Sequence, residues 1–361
     1  MSSRTCTVTI DGNVLSVPVD TTVLEAARQV GVRIPTLCYL QGVSCAGSCR
    51  VCVVEVEGEQ GLVASCATTV REGMVVHTAS ARVERARRAA LELVLADHGL
   101  NTTDYCFSCV KNGACELQAV CRELGVTKPA YAISDSQPRK PLVEDNPFLV
   151  YDPNLCIRCQ RCVGACNAVA RNHTLQAGKR GVRTTIEAPF GPDWRTNGCE
   201  SCGTCAQACP TGALTEKRRR GYVPWDTTRV RTTCPHCAVG CQLDLVVRDG
   251  RVVDTAGAPG PSNGGRLCVK GRSGSFDFID APDRLRTPLL RNKQTGELEP
   301  ASWDEALAAV AEGFLAIKNT AGPDALAGFA CSRSTNEDVY LFQKMVRTAF
   351  GTNNVDNCAR V

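Results

Sequence analysis

Apolar and polar residues alternate over Thr7 to Ile10 and again over Val14 to Val19, on either side of Asp11-Gly12-Asn13, a pattern that predicts a β-hairpin. Val23 to Val30 changes to helical spacing and stops at Gly31. Strand signals return at Val51 to Val56 and Met74 to His77, so residues 1–79 read as a sheet with one packed helix. Ala81 to Ala96 is rich in Ala, Leu and Arg at helical periodicity and opens a helical unit over 80–134. A Pro-rich linker, Asp135 to Pro147, leads into an internal repeat over 146–216, and Lys217 to Thr228 reads as another linker. In 227–281 the runs Leu243 to Val247 and Arg251 to Asp254 flank Asp249-Gly250, a second hairpin signal. In 282–361 Ser302 predicts the N-cap of a helix from Trp303 to Lys318, with Glu305 at the capping-box position. Ala325 to Cys331 then reads as a buried strand, and Asn336 to Phe350 as a helix stopped by Gly351. The expected fold is α+β and multidomain, because a single core stops growing well short of 361 residues.

Composition changes the picture through one residue type. The chain has 24 Cys, a density usual for disulfide-bonded secreted domains. Met1 to Thr9 carries no basic n-region and no apolar h-region, and no run approaches the roughly 18 apolar residues of a membrane span. These features predict a cytoplasmic chain whose reduced thiolates bind metal. Its 41 basic and 37 acidic residues, net +4, argue against a nucleic-acid partner. The basic run Lys217-Arg218-Arg219-Arg220 lacks interleaved aromatics and reads as a solvated linker, or as a docking point for an acidic partner.

The most specific chemistry is Cys156-x2-Cys159-x2-Cys162-x3-Cys166, repeated 43 residues on as Cys199-x2-Cys202-x2-Cys205-x3-Cys209-Pro210. Three closely spaced thiolates cap one face of a [4Fe–4S] cubane, and the fourth Cys of each run serves the other cluster. Cys156, Cys159, Cys162 and Cys209 are therefore assigned to one cluster, and Cys199, Cys202, Cys205 and Cys166 to the second, as in a bacterial 2[4Fe–4S] ferredoxin-like domain. Zinc would need only paired Cys-x2-Cys units and would leave thiols over. Asn167 stands where the ferredoxin run carries Pro, a turn position and not a ligand.

Three further groups carry resemblances. Ile34-Pro35-Thr36-Leu37-Cys38, Gly47-Ser48-Cys49-Arg50-Val51-Cys52 and Ala64-Ser65-Cys66-Ala67 resemble the β-grasp [2Fe–2S] domain that opens the Complex I large subunit. That resemblance implies ligation by Cys38, Cys49, Cys52 and Cys66, although Cys45-x3-Cys49-x2-Cys52 is close to a plant-type spacing and offers Cys45 instead. His98 with Cys106-x2-Cys109-x5-Cys115-Glu116-Leu117-Gln118 resembles the His/Cys3 [4Fe–4S] site of the same family. Seven residues separate His98 from Cys106 where the family has three, so His98 either ligates across a longer loop or caps the helix ending near Asp97. Thr233-Cys234-Pro235-His236-Cys237 with Gly240-Cys241 and Cys268-Val269-Lys270-Gly271 resembles the [4Fe–4S] entrance domain of molybdopterin oxidoreductases. That resemblance implies Cys234, Cys237, Cys241 and Cys268 as ligands and Lys270 as the link between cluster and pterin. Cys6, Cys45, Cys121, Cys331 and Cys358 then remain as free thiols, and His77, His173 and His236 as structural histidines.

One [2Fe–2S] and four [4Fe–4S] clusters on one chain would form an electron wire. The segments Ala301 to Ala306, Ser334 to Glu337 and Gly351 to Val361 look like the α subunit of cytoplasmic NAD-linked formate dehydrogenases. The resemblance implies an oxidoreductase that takes formate and NAD to CO2 and NADH. Its partners would be NADH-binding FMN/iron–sulfur subunits or a hydrogenase, and a molybdenum or tungsten bis-molybdopterin guanine dinucleotide would belong to the full-length form. In that family Cys-Ala-Arg-Val is followed by the selenocysteine or cysteine that ligates the metal. The chain is thus expected to stop one residue short of the catalytic ligand, through a selenocysteine codon read as a stop, or else as a split subunit. Alone it would then be inactive on formate, with residues 282–361 an incomplete α/β domain exposing apolar surface. A stand-alone electron-transfer subunit and a Complex I large-subunit-like protein are the alternative readings.

Overall fold

A computed structural model describes residues 4–98, 104–130, 140–189, 193–273 and 276–358. The chain divides into two compact units, residues 1–227 and 228–361. The first begins with β1 (Thr5–Ile10) and β2 (Asn13–Pro18), paired antiparallel about Asp11 and Gly12. Both turn residues have positive φ, 47° and 82°, the left-handed pair that a twisted two-residue hairpin requires. Helix α1 (Val23–Gln29) is capped by Thr22, whose hydroxyl accepts from the Glu25 N–H. A small hairpin, β3 (Tyr39–Leu40) and β4 (Ser44–Cys45), precedes β5 (Val53–Val56), β6 (Val63–Ala64) and β7 (Met74–His77). The main sheet runs β2-β1-β7-β5-β6, with β1 and β7 parallel and the other neighbours antiparallel. Val8, Ile10, Leu24, Val54 and Val76 are fully enclosed between sheet and helix, and Cys52 and Cys66 belong to the same core.

Ser80 caps α2 (Ala81–Asp97), which is followed by α3 (Asp104–Ser108) and α4 (Glu116–Leu124). The segment 131–139, most of the expected Pro-rich linker, lies outside the described residues. Next come β8 (Leu149–Tyr151), α5 (Arg161–Gly164), β9 (Gln176–Gly178), β10 (Thr185–Glu187), α6 (Thr204–Ala208) and β11 (Leu214–Glu216). Pairing of β8 with β11 closes the repeat upon itself around Trp194, stacked on Tyr151. The basic run has no buried residue, as expected of a solvated segment, but it is not a free linker. Lys217–Gly221 is a 3-10 turn held to Glu144, with Lys217 Nζ donating to its carbonyl at 2.9 Å and Arg220 pairing with its carboxylate at 3.2 Å.

The second unit starts with β12 (Thr228–Thr233), β13 (Gln242–Arg248) and β14 (Arg251–Gly257) in one antiparallel sheet, turning at Asp249 and Gly250, both left-handed. Strand β12 begins where the linker was expected to end. A short α7 (Val269–Arg272) lies next, and the hairpin of β15 (Leu289–Arg291) and β16 (Leu298–Pro300) leads to α8 (Trp303–Ala321). The capping box is present, with Ser302 and Glu305 each accepting the other's backbone N–H. β17 (Gly328–Ala330) is shorter than the expected strand and pairs parallel with β18 (Val355–Asn357). α9 (Asn336–Met345) passes into a π-helical turn over Val346–Phe350 and ends at left-handed Gly351. Helix α8 buries none of its residues among those described, and Leu307, Val310 and Leu315 are more than half exposed. No described helix is long and apolar enough to cross a membrane.

Candidate metal centres

The structure gathers the sequence-predicted cysteines into groups. In the N-terminal sheet Cys38, Cys49, Cys52 and Cys66 are all buried, and Cys52 Sγ lies 3.4 Å from Cys66 Sγ. Hydrogen bonding with Cys49 and then Cys66 pulls the Cys38 thiol far down, and hydrogen bonding with Cys66 pulls Cys52 down to about 6. Cys49 and Cys66, holding protons against Cys38, are pushed up. Four buried thiols acting on one another cannot all ionise unaided, and iron charge would relieve that conflict. Cys45, paired with Tyr39 across the β3–β4 hairpin, is exposed and acts on none of the four.

His98 ends α2 as a residue only 5% exposed, and no described group hydrogen-bonds its buried Nδ1. Burial pushes its pKa down to about 4, which favours the neutral ring, while its backbone N–H caps α2 on the Leu95 carbonyl. It lines a cavity of about 550 Å³ together with Cys106, Cys109, Cys115 and Cys121. An orphaned, neutral imidazole beside converging thiols fits a cluster ligand. Much of the intervening loop, 99–103, lies outside the described residues. Burial raises the Cys109 and Cys115 thiols, and N–H groups of Lys111, Gln118 and Leu117 offset it at the sulfurs.

In the repeat, the two Cys runs adopt one geometry twice. Arg158 and Ser201 have φ of 55° and 56°, and Gln160 and Gly203 have 59° and 71°, each pair 43 residues apart. Non-glycine residues seldom accept this conformation. It turns N–H groups inward, so that Arg158 N donates to Cys156 Sγ at 3.4 Å. Burial, then Cys209 charge, drives the Cys159 thiol up, and burial takes the Cys162 thiol well above the ordinary value. Dry pockets of this kind hold thiolates only beside a cation. Cys156, Cys162, Cys166, Cys199, Cys205 and Cys209 share one apolar core.

Several residues around these groups escaped the sequence reading. Asn146, 2% exposed, donates to Cys199 Sγ at 3.5 Å and to Ser201 Oγ at 2.9 Å. Arg161, between Cys159 and Cys162, is buried and reaches Glu116 at 2.7 Å and the Leu37 carbonyl at 3.5 Å, linking three segments. Lys111 Nζ donates to the Cys209 carbonyl at 3.2 Å. Their partners lie 45 to 124 residues away, beyond any local pattern. Cys38, Cys49, Cys115 and Cys159 thus meet in one shared apolar cluster with Leu91, Leu95 and Leu117.

Gly212 faces the His98 cavity, and a Cβ there would lie 2.5 Å from Cys109 Sγ. Gly212→Ala is therefore expected to displace Cys109 and strip the cluster from this cavity alone. Iron analysis should show a loss of about four atoms per chain.

In the second unit Cys234 is buried, Cys237 and Cys241 are partly so, and Cys268 is exposed. Burial raises Cys234 and Cys241, and the charges of Cys237 and Cys268 act on both. Asn263 builds the loop before Cys268, donating to the Gln242, Ala258 and Arg266 carbonyls. Lys270 is exposed on α7. His77 pairs with Glu57, whereas His236 packs on Phe276 and Phe278. Among the described residues no three His, Cys, Asp or Glu side chains close on a single ion. Thiolates spread around several irons stand farther apart than that.

Family models match five segments. They are a 2Fe-2S iron-sulfur cluster binding domain over 3–81 and the NADH-ubiquinone oxidoreductase-G iron-sulfur binding region over 87–130. A 4Fe-4S binding domain follows over 192–215, then the molybdopterin oxidoreductase Fe4S4 domain over 227–277 and molybdopterin oxidoreductase over 284–361. The chain is 39% identical over 356 residues to the NADPH-Fe(3+) oxidoreductase subunit alpha of Geobacter sulfurreducens, covering 98% of this chain and 40% of that protein. It is 37% identical to an NADH-quinone oxidoreductase subunit of Rhizobium meliloti, again over 98% and 40%. It is 32% identical to a Staphylococcus aureus protein provisionally named formate dehydrogenase, over 98% and 39%. The chain thus spans about two fifths of the length of these relatives. A chain in the crystal structure of an NAD+-reducing [NiFe]-hydrogenase superposes with a TM-score of 0.53 at 34% identity, covering 59% of this chain and 87% of that one.

Proposed function

Because the chain belongs to the family that joins Complex I large-subunit-like iron–sulfur domains to a molybdopterin oxidoreductase domain, we propose that it is the electron wire of an NAD-linked formate dehydrogenase α subunit. The observation that carries this reading is the apolar cluster in which Cys38, Cys49, Cys115 and Cys159 meet. Cysteines of three different cluster groups share that one core. Bound clusters would supply one-electron carriers: one [2Fe–2S] at Cys38, Cys49, Cys52 and Cys66, and [4Fe–4S] at the other four groups, with His98 completing the second.

The chain's own residues do the rest. Buried leucines exclude water from the thiols and keep the dielectric low. Backbone N–H groups from left-handed turns point at the sulfurs, and Arg161 ties the segments together through Glu116 and the Leu37 carbonyl. Lys270, two residues after Cys268, is the proposed link toward the pterin. In the complete protein a molybdenum or tungsten bis-pterin would supply the two-electron chemistry of formate, and flavin subunits would exchange electrons with NAD. Support for formate is the Asn353 to Val361 string and the Staphylococcus relative. The Geobacter relative favours a second reading, in which the complete protein exchanges electrons with NADPH and an iron(III) acceptor.

A reductive titration of the anaerobically purified chain tests the wire. Five one-electron centres should take up about five electrons per chain. Uptake confined to a single centre would contradict the reading.

A further inference from the structure

Two of the thiols outside the cluster groups lie side by side. β17 and β18 are parallel neighbours with Ala330 opposite Asn357, so the next residues, Cys331 and Cys358, leave the carboxyl ends of adjacent strands in register. In open α/β sheets that edge is the crevice where ligands and reactions are found. Neighbouring strands run about 4.8 Å apart, within the Cα separation of roughly 4.4 to 6.8 Å that a disulfide spans. The sulfurs are 3.9 Å apart and both side chains are exposed. The Ser332 N–H donates to Cys358 Sγ at 3.4 Å, and its hydroxyl lies at the same distance.

We propose that Cys331 and Cys358 form a reversible disulfide in the molybdopterin oxidoreductase domain, with Cys358 as the attacking sulfur and a hydroperoxide as the oxidant. Cys358 is taken as the attacking sulfur because the Ser332 N–H donates to it, and hydrogen bonding with Ser332 first and then Cys331 holds its thiol below the ordinary value. Its thiolate attacks one peroxide oxygen; the O–O bond breaks, the leaving hydroxide takes a proton to become water, and Cys358 is left as the sulfenic acid. The Cys331 thiolate then attacks the Cys358 sulfur; the S–S bond forms, the S–O bond breaks, and a second hydroxide leaves as water. Two thiols lose two electrons and two protons, and one hydrogen peroxide becomes two waters. Closing the pair ties Cys358 to the end of β17 and restrains the string Asn353 to Cys358. The pair is independent of the cluster groups, so the proposal stands or falls separately from the wire.

The test uses the whole 361-residue chain, purified anaerobically, treated with stoichiometric hydrogen peroxide, alkylated and digested with trypsin. Cleavage isolates Cys331 in residues 319–333 and Cys358 in residues 348–360, with one cysteine in each peptide. The expected product is these two peptides joined at a mass two hydrogens below their sum, lost on adding dithiothreitol. In Cys331→Ser the sulfenic acid on Cys358 has no resolving thiol, and dimedone labelling there should rise. In Cys358→Ser neither the link nor labelling of Cys331 should appear. The proposal is overturned by full alkylation of both thiols in the treated wild-type chain. Equal dimedone labelling of Cys358 in wild type and Cys331→Ser, or a Cys358–Cys358 dimer in place of the pair, would also overturn it.

Discussion

Cys66→Ala is expected to remove the N-terminal two-iron centre and to lower the melting temperature of the sheet around it, while Cys45→Ala leaves both intact. Cys66 is 0% exposed in the core that also contains Val8, Ile10 and Leu24. Its sulfur is next to Cys52 and is engaged by Cys38 as well. Alanine offers no donor and leaves a void where the sulfur was. Metal binding free energy is folding free energy in such a domain, so losing the cluster costs stability beyond the void itself. Cys45 lies exposed in β4 and contributes to none of this. Iron content and visible circular dichroism of the two variants check the expectation. Loss of the centre in Cys45→Ala would overturn the assignment of Cys38 over Cys45.

The second large effect falls in the other unit. A Cβ on Gly257 would sit 2.0 Å from the Gly265 carbonyl oxygen and 2.8 Å from its carbon. Both sides of that contact are backbone, and neither is the free end of a flexible side chain. Gly257 pairs with Leu243 at the end of β14, and Gly265 precedes the Leu267-Cys268 segment held by Asn263. Relief must therefore open the sheet or move the loop that delivers Cys268. Overpacking of side chains costs about 1–3 kcal/mol, and a backbone overlap belongs at or above the upper end. Gly257→Ala should destabilise residues 228–361 and abolish the cluster of the Cys234 group, leaving iron in the first unit unchanged. Gly313→Ala is the control: it lies inside α8 with nothing within 4 Å, and should stabilise by about 0.5–1 kcal/mol. Thermal unfolding followed in each unit separates the two outcomes.

What was legible in the sequence was local. The hairpins at Asp11-Gly12 and Asp249-Gly250 and the Ser302/Glu305 capping box are short-range chemistry, and the structure has all three. Cysteine spacing grouped the thiols because iron–sulfur loops are short-range too. β12 was missed because Thr-Arg-Val-Arg-Thr-Thr has no apolar face; five of its six residues are exposed. The basic run at Lys217 read as linker because its anchor, Glu144, is 73 residues away. Spacing alone could not choose between Cys38 and Cys45. The structure buries the first among the other thiols and turns the second outward. The crowding of Gly212 against Cys109 and the contact of Cys331 with Cys358 depend on residues 103 and 27 positions apart, which only the folded chain brings together.

The proposed wire requires five iron–sulfur clusters on the chain. Iron and acid-labile sulfide counted on the anaerobically purified protein test it most directly. The expected result is roughly 18 irons per chain with matching sulfide, one two-iron and four four-iron centres, and no zinc. Stoichiometric zinc, or a count of about eight irons from the ferredoxin-like repeat alone, would contradict it.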